Sequence, residues 1–424
     1  MIEQKLIRTI QLTNFLSYGE GADIVDLEPL NVLIGPNCSG KSNLIEAFAL
    51  LQATSQDLTA PIREGGGVTE WLHKGKKGTP VAEINVTLNY LHERIPLRYR
   101  LSFTKVGQRF ELVDEAVECE RPTKPDEEDV YFFYRYSGGN PLLNTIITPP
   151  DTEETRTVKE PLSQYAKTSQ VASEQKRTLR SLRREDLDIR QSVLSQRKDP
   201  DQYPELTYLG HKFARIKLYR EWNLGRYTPP RLPQKADLPE DFLMEDASNL
   251  GLVVNDLQHQ PGTKRLIIEK LRIFDEGIDD ITTRIHGGTV QIFLHQKGLT
   301  QPIPATRLSD GTLRYLCLLT LLCHPAPPSV LCIEEPELGL HPDILPTIAE
   351  LLIEASSKTQ LVVTTHSDIL VSALSDTPES VLVCERDDTG THLRRLRKEQ
   401  LEEWLDKYSL GELWCMGEIG GTRW

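Results

Sequence analysis

Among the 424 residues no apolar run is long enough to span a bilayer, so no helical membrane anchor is expected. The opening Met1-Ile-Glu-Gln-Lys5 lacks the basic start and apolar stretch of a secretion signal. Cysteine is sparse and unpatterned. Seven residues, odd in number and without regular spacing, argue against a disulfide framework or a zinc site. Cys317, Cys323 and Cys332 fall in apolar runs that read as core. There is no internal repeat and no low-complexity tract, and the charged stretch Ser163–Lys198 carries no sustained heptad array. Positive charge is also short, with a formal net charge of −13. This excludes a uniformly basic surface, although nucleic-acid affinity follows the local field and not the total. What remains is a cytoplasmic globular protein long enough to bury a large core.

The most informative stretch lies near the start. Val32-Leu33-Ile34 reads as a buried strand, and Asn43 to Leu51 has a helical pattern. Between them stands Gly35-Pro36-Asn37-Cys38-Ser39-Gly40-Lys41-Ser42, with the spacing of a phosphate-binding P-loop, and Asn43 follows it. Gly35 and Gly40 let the backbone curl so that its N–H groups face phosphate oxygens. The following helix aims its positive end at the same point. Lys41 is placed for the β- and γ-phosphates of ATP, and the Ser42 hydroxyl for Mg²⁺.

Before the loop, Leu6–Phe15 and Ile24–Leu27 read as strands. Phe15 and Tyr18 are candidates either for stacking on an adenine or for the core. After it, Val81–Tyr90, Leu97–Phe103 and Arg109–Val117 alternate as strands. From about residue 120 the character changes, with polar breaks at Arg121–Asp129 and Pro149–Thr155. His211–Trp222 reads as a helix with a basic side. Its Lys212, Arg215, Lys217 and Arg220, with Arg226 and then Arg231 and Lys235 beyond, alternate with Phe213, Tyr219, Trp222 and Tyr227. That mixture suits a nucleic acid or partner contact, and equally a solvated face packed on the core. The expected organisation is 1–119 with the P-loop, a mostly helical insertion over 120–260, and a second half of the core over 261–424.

Three C-terminal elements complete the pattern. Val330–Ile333 is an apolar run of the kind found in central parallel strands, and it ends in Glu334 and Glu335. Neighbouring strand residues point in opposite directions, so the two acids should have separate tasks: Glu334 at the metal, Glu335 at the attacking water. Leu308-Ser309-Asp310-Gly311-Thr312 opens an apolar helix, with Ser309 as its cap and Gly311 allowing close approach of a ligand. Gln360–Thr365 is another apolar strand and carries His366 at its tip.

In this order the elements resemble the ABC-type ATPases of the RecF, SMC and OLD group, and most of all its compact stand-alone AAA-like members. The resemblance covers roughly residues 1–115 and 265–385. It implies an α/β P-loop NTPase core of ABC/RecF type, with a mixed central sheet and a β-rich N-terminal lobe. It also implies a head-to-head homodimer sandwiching ATP. Ser309, Asp310 and Gly311 of one chain would then face the γ-phosphate held by Lys41 of the other. Glu335 would act as base, His366 as γ-phosphate sensor, and Leu338–His341 as the D-loop. A separate effector protein, as in anti-phage defence, is the implied partner. Direct DNA binding in RecF-like repair is the alternative, and a non-catalytic ATP-binding scaffold a third reading. Glu334 departs from the usual Asp, Ser-Asp-Gly-Thr departs from Ser-Gly-Gly-Gln, and no Q-loop glutamine is assigned. The expected activity is therefore slow ATP hydrolysis. Glu385–Asp388 reads as a turn, and no nuclease chemistry is expected.

Overall fold

The structure is a computed structural model and describes residues 5–75, 78–90, 95–122, 129–137, 140–146, 177–181 and 187–421. The chain opens with β1 (Ile7–Thr13), β2 (Val25–Asp26) and β3 (Leu30–Ile34). The P-loop turn leads into α1 (Lys41–Thr54), then α2 (Thr59–Glu64) and α3 (Val68–Trp71). Next come β4 (Ala82–Leu88), β5 (Leu97–Val106), β6 (Arg109–Cys119), β7 (Phe132–Ser137), β8 (Asn140–Ile146) and β9 (Arg177–Ser181). Then follow α4 (Val193–Gln196), α5 (Pro204–Ala214), β10 (Lys217–Tyr219), β11 (Gln234–Lys235), α6 (Leu250–Gln258) and α7 (Pro261–Phe274). The hairpin β12 (Ile278–His286) and β13 (Thr289–Gln296) precedes β14 (Ile303–Pro304). The C-terminal part is α8 (Asp310–Leu322), β15 (Val330–Glu334), α9 (Leu345–Ser356), β16 (Gln360–Thr364) and α10 (Asp368–Ser372). It closes with β17 (Val381–Arg386), β18 (Thr391–Arg395), α11 (Lys398–Leu405) and α12 (Leu410–Met416).

The central sheet has the order β10-β15-β16-β3-β17-β18 and is parallel except for β18. Its parallel strands each feed two cores, because side chains alternate across a pleat. Val32, Ile34, Leu331, Ile333, Leu361 and Val363 pack on one face with α8 and α9. Leu33, Val330, Cys332, Val362 and Leu382 pack on the other with α1 and the first sheet. That first sheet is antiparallel, in the order β2-β1-β4-β5-β6-β7-β8-β9. A smaller sheet is built on β12 and β13.

Two buried amides tie these layers together. Gln360 accepts from the Ile7 N–H at 2.9 Å and donates to the Ile7 carbonyl at 2.8 Å, so a side chain of β16 bonds to the backbone of β1. Asn31 donates to the carbonyls of Glu28 and Leu361 and accepts from Arg395 at 2.6 Å. Unsatisfied amides at these depths would cost about 1–3 kcal/mol each.

The described residues between 120 and 260 are not the mostly helical insertion expected of that stretch. Among the described residues β7, β8 and β9 extend the first sheet, and β10 joins the edge of the central one. The aromatic run Phe132-Phe-Tyr-Arg-Tyr136 carries the strand propensity that explains the first of these. His211–Trp222 is likewise not one helix. It stops at Ala214, and Lys217–Tyr219 pair with Leu331–Ile333. Three residues beside a buried parallel strand follow that strand and not their own helical period. The polar breaks at 123–128 and 149–155 and the charged stretch at 163–176 lie outside the described residues.

Glu115 on β6 is fully buried and has no cation among its hydrogen-bond partners. Its carboxylate accepts from Tyr99 Oη at 2.8 Å, Val193 N at 2.9 Å and the Ser192 hydroxyl. Burial outweighs those three donors and pushes its pKa up to about 7. A carboxyl raised on folding stabilises the fold at low pH. That contribution is complete below the ordinary glutamate value and is lost as pH rises through about 7. Urea unfolding of the wild type should therefore show stability falling between pH 5 and pH 8, by at most about 3 kcal/mol. Glu115→Gln, whose amide can face Val193 N–H with its oxygen and the two hydroxyls with its nitrogen, should flatten that slope.

Candidate functional site

The P-loop runs from β3 into α1 in the conformation that its glycines were expected to permit. Gly35 and Gly40 have φ of 150° and 110°. Their neighbours add a second constraint. A Cβ on Gly35 would lie 2.2 Å from the Cys384 carbonyl oxygen, and one on Gly40 would lie 2.4 Å from Thr391 Oγ1. The hairpin β17–β18 thus holds the loop from behind. Thr391 Oγ1 and Cys384 Sγ both donate to the Ser39 carbonyl, at 2.7 and 3.3 Å. From the N-terminal side, Ser17 Oγ accepts from Asn43 Nδ2 at 2.7 Å, and Tyr18 Oη donates to the Gly40 carbonyl at 3.2 Å. Phe15 and Tyr18 are buried in the core, so neither offers a face for stacking on a base.

Lys41 is buried, and its Nζ donates to the carbonyls of Gly35 and Pro36 at 2.7 and 3.0 Å, inside the curl of the loop. Burial lowers its pKa. Ser39 Oγ is buried in the same curl without a hydrogen-bond partner, as a group directed at a phosphate oxygen would be. A groove of about 830 Å³ opens beside the loop, lined in part by Leu16, Asn37, Cys38, His73 and Arg386.

Two carboxylates reach this loop from β15, and they diverge. Glu334 Oε2 accepts from Ser42 Oγ at 2.8 Å. A hydroxyl and a carboxylate oxygen side by side at a P-loop are the hard donor set that Mg²⁺ takes, so Ser42 and Glu334 would hold it. Burial raises the Glu334 pKa, and the Ser42 hydrogen bond and Arg220 pull it back. Arg220 continues β10 alongside β15. Its Nε lies 3.6 Å from Glu334 Oε1, and its two terminal nitrogens grip Glu46 at 2.7 and 3.0 Å. Glu335 leaves the strand at φ 46°, a left-handed conformation held by its N–H bond to the Thr364 carbonyl at 3.0 Å. That turn swings its carboxylate to within 3.7 Å of His366 Nε2. Burial and then the nearby Lys41 lower the His366 pKa, against the pull of Glu335 and Glu337.

His366 is positioned by a residue not singled out from sequence. Glu337 Oε1 accepts from the His366 N–H at 2.7 Å and from Thr365 Oγ1 at 2.8 Å. Ser17, Cys384 and Thr391 behind the loop were missed as well. Ser17 lies in a tract that the sequence marks, but nothing in the sequence ties Cys384 and Thr391 to a loop about 350 residues earlier.

The signature turn stands apart. Ser309 caps α8, accepting from Thr312 N at 3.0 Å. Gly311 meets the turn at Gly339 of its own chain, where a Cβ would lie 3.0 Å from the Gly339 carbonyl oxygen. The hydrogen bonds of Ser309 and Asp310 among the described residues run to Thr312 and Arg231 and not to the P-loop. The basic tract is scattered. Arg220 belongs to the carboxylate site, Lys212 lies 5.4 Å from the Tyr208 ring centroid, and Arg226 lies 6.0 Å from that of Tyr227. Arg215 and Lys217 sit on either side of the break between α5 and β10.

A family model described as "AAA domain, putative AbiEii toxin, Type IV TA system" matches residues 30–372, from the P-loop strand to beyond His366. In three dimensions the chain is similar to a crystal structure of the SmcHead bound to the C-winged helix domain of ScpA. The two are 14% identical, with 93% of this chain and 99% of that one covered, at a TM-score of 0.53. It is also similar to the Smc head domain with an extended coiled coil bound to the C-terminal domain of ScpA derived from Pyrococcus furiosus. There the identity is 11%, the coverage 95% and 99%, and the TM-score 0.54. No curated protein matches in sequence. At such identities the likeness bears on the fold, which is the P-loop, ABC-type ATPase head that the motif order implied. No helix among the described residues is long and apolar enough to cross a membrane.

Glu334→Gln should bind ADP as well as wild type in EDTA but lose most of the gain that Mg²⁺ brings, about tenfold or more, in a fluorescent-nucleotide titration. Histidine resonances followed by NMR should place the His366 titration below its ordinary value of 6.5, and Lys41→Met should raise it.

Proposed function

The chain belongs to the AAA-domain family of that description and has an ABC/SMC-type ATPase fold, and we propose that it is a slow ATP-hydrolysing switch working as an ATP-dependent homodimer. One observation carries this reading. Lys41, Ser42, Glu334, Glu335 and His366 converge at one edge of the central sheet, while Ser309–Gly311 of the same chain is engaged elsewhere. Each half-site is therefore incomplete, and a second copy supplies the missing half.

In that arrangement Lys41 leaves the loop carbonyls for the β- and γ-phosphates of ATP, and the loop N–H groups hold the remaining oxygens. Ser42 and Glu334 would hold Mg²⁺, which would supply positive charge against the phosphates. Glu335 takes a proton from the attacking water. His366, whose backbone N–H is held by Glu337, hydrogen-bonds the γ-phosphate or that water. Hydrolysis and loss of the γ-phosphate release the partner copy.

The dimer state is read by a separate effector protein. The family description names a toxin of a Type IV system, and the similar Smc heads were solved with part of another protein bound, both of which favour a partner over a nucleic acid. A role in anti-phage defence fits such a pair. The scattering of the basic tract weakens the DNA-repair alternative, because Arg220 is spent on Glu46 and Glu334.

Light scattering with and without ATP–Mg²⁺ tests the switch. Glu335→Gln should double in mass with ATP while its turnover drops about 100-fold or more. Lys41→Ala should remain at its ATP-free mass. Unchanged mass in wild type and both variants would remove the shared site.

A further inference from the structure

Arg231 is the only buried arginine among the described residues, and the switch reading above leaves it without a task. All three nitrogens of its guanidinium donate to acceptors. Nε donates to the Leu224 carbonyl at 2.6 Å, Nη1 to the Leu308 carbonyl with Ala305 O at 3.5 Å, and Nη2 to Asp310 Oδ1. Leu308 and Asp310 flank Ser309, the cap of α8, so one side chain grips the signature turn on both sides of its cap. The Asp310 side chain is 74% exposed, so its charge faces outward from the turn. The arginine arrives on the connection that begins at Arg220, and the twelve residues 220–231 therefore reach from the Glu334 site to the signature of the same chain.

The electrostatics give this grip a purpose. A signature turn that meets the γ-phosphate of a second copy must attract an anion, and the N-terminus of α8 does so. Asp310 opposes it, since a bare carboxylate at the first helical residue would stand against the phosphate. Arg231 offsets that charge from the protein side. It leaves the outer face of the turn to Ser309 and the helix N–H groups.

We propose that Arg231 is the positioning residue that makes the signature turn competent to bind the γ-phosphate of the partner copy, by fixing the cap and neutralising Asp310. The inference rests on the sandwich-dimer reading. It also assigns the end of the basic tract to an intramolecular task in place of contact with DNA.

The test uses the full chain in the Glu335→Gln background, measuring ATP affinity by fluorescent-nucleotide titration of dilute monomer and ATP-driven dimerisation by light scattering. Arg231→Gln should change monomer ATP affinity by less than about twofold yet raise the concentration for half-dimerisation by about tenfold or more. Adding Asp310→Asn to Arg231→Gln should recover most of that loss, which a purely structural arginine would not allow. Asp310→Asn alone, which keeps an acceptor for Nη2 while removing the charge, should dimerise at least as well as the parent. It serves where Arg231→Gln misfolds. Dimerisation by Arg231→Gln equal to the parent overturns the proposal. So does a double variant no better than the single, or a tenfold loss from Asp310→Asn. Failure of the parent itself to dimerise with ATP overturns the sandwich, and the role of Arg231 with it, and is told apart because Arg231 is intact there.

Discussion

Everything at the site depends on the parallel register of three neighbouring strands. Glu334 pairs with Thr364, and Thr364 with Leu33, so β15, β16 and β3 end level with one another. The residues that follow each strand, Glu335, His366 and the P-loop, emerge at the same edge. In an open parallel sheet this is where ligands collect, because all the carboxyl ends and the following helix N-termini face one way. A slip of one residue in any pairing would send its strand's side chains to the wrong core and carry its functional tip out of reach.

The register holds because both faces of the sheet are covered. Val32 and Ile34 are buried in one core and Leu33 in the other, so each strand is fixed from two sides. Gln360 and Asn31 add a polar lock at depths where an unmade hydrogen bond is costly. The charges at the edge are compensated in a chain. Lys41 is held by loop carbonyls, Glu334 by Ser42 and Arg220, and Arg220 by Glu46. No ion in that series is buried without a partner, which lets several charges crowd one small volume.

Much of this was legible in the chain. The P-loop spacing, the apolar run ending in Glu334 and Glu335, and the strand carrying His366 each announce themselves within a dozen residues. Their chemistry needs particular residue types at short range. The readings that failed concern stretches whose local signal is ambiguous. Lys217–Tyr219 continues a helical pattern on paper yet is a strand, because the edge of β15 away from β16 offers its backbone a better partner. Phe15 and Tyr18 have the chemistry to stack on a base, but the packing of β1 and α3 buries them. The strands β7 to β9 sit where polar stretches of sequence break the periodicity that would have revealed them.

The sequence alone determined the P-loop, the order of the motifs and thereby the fold, because these rest on local spacing and on apolar runs too long to be exposed. Only the tertiary structure decided which residues support them. Thr391 and Cys384 brace a loop from the far end of the chain, Glu337 bonds the backbone of His366, and Arg220 and Arg231 find their partners in Glu46, Glu334 and the turn around Ser309. A charge on paper has no direction. Burial and the partner it finds across the fold give it one.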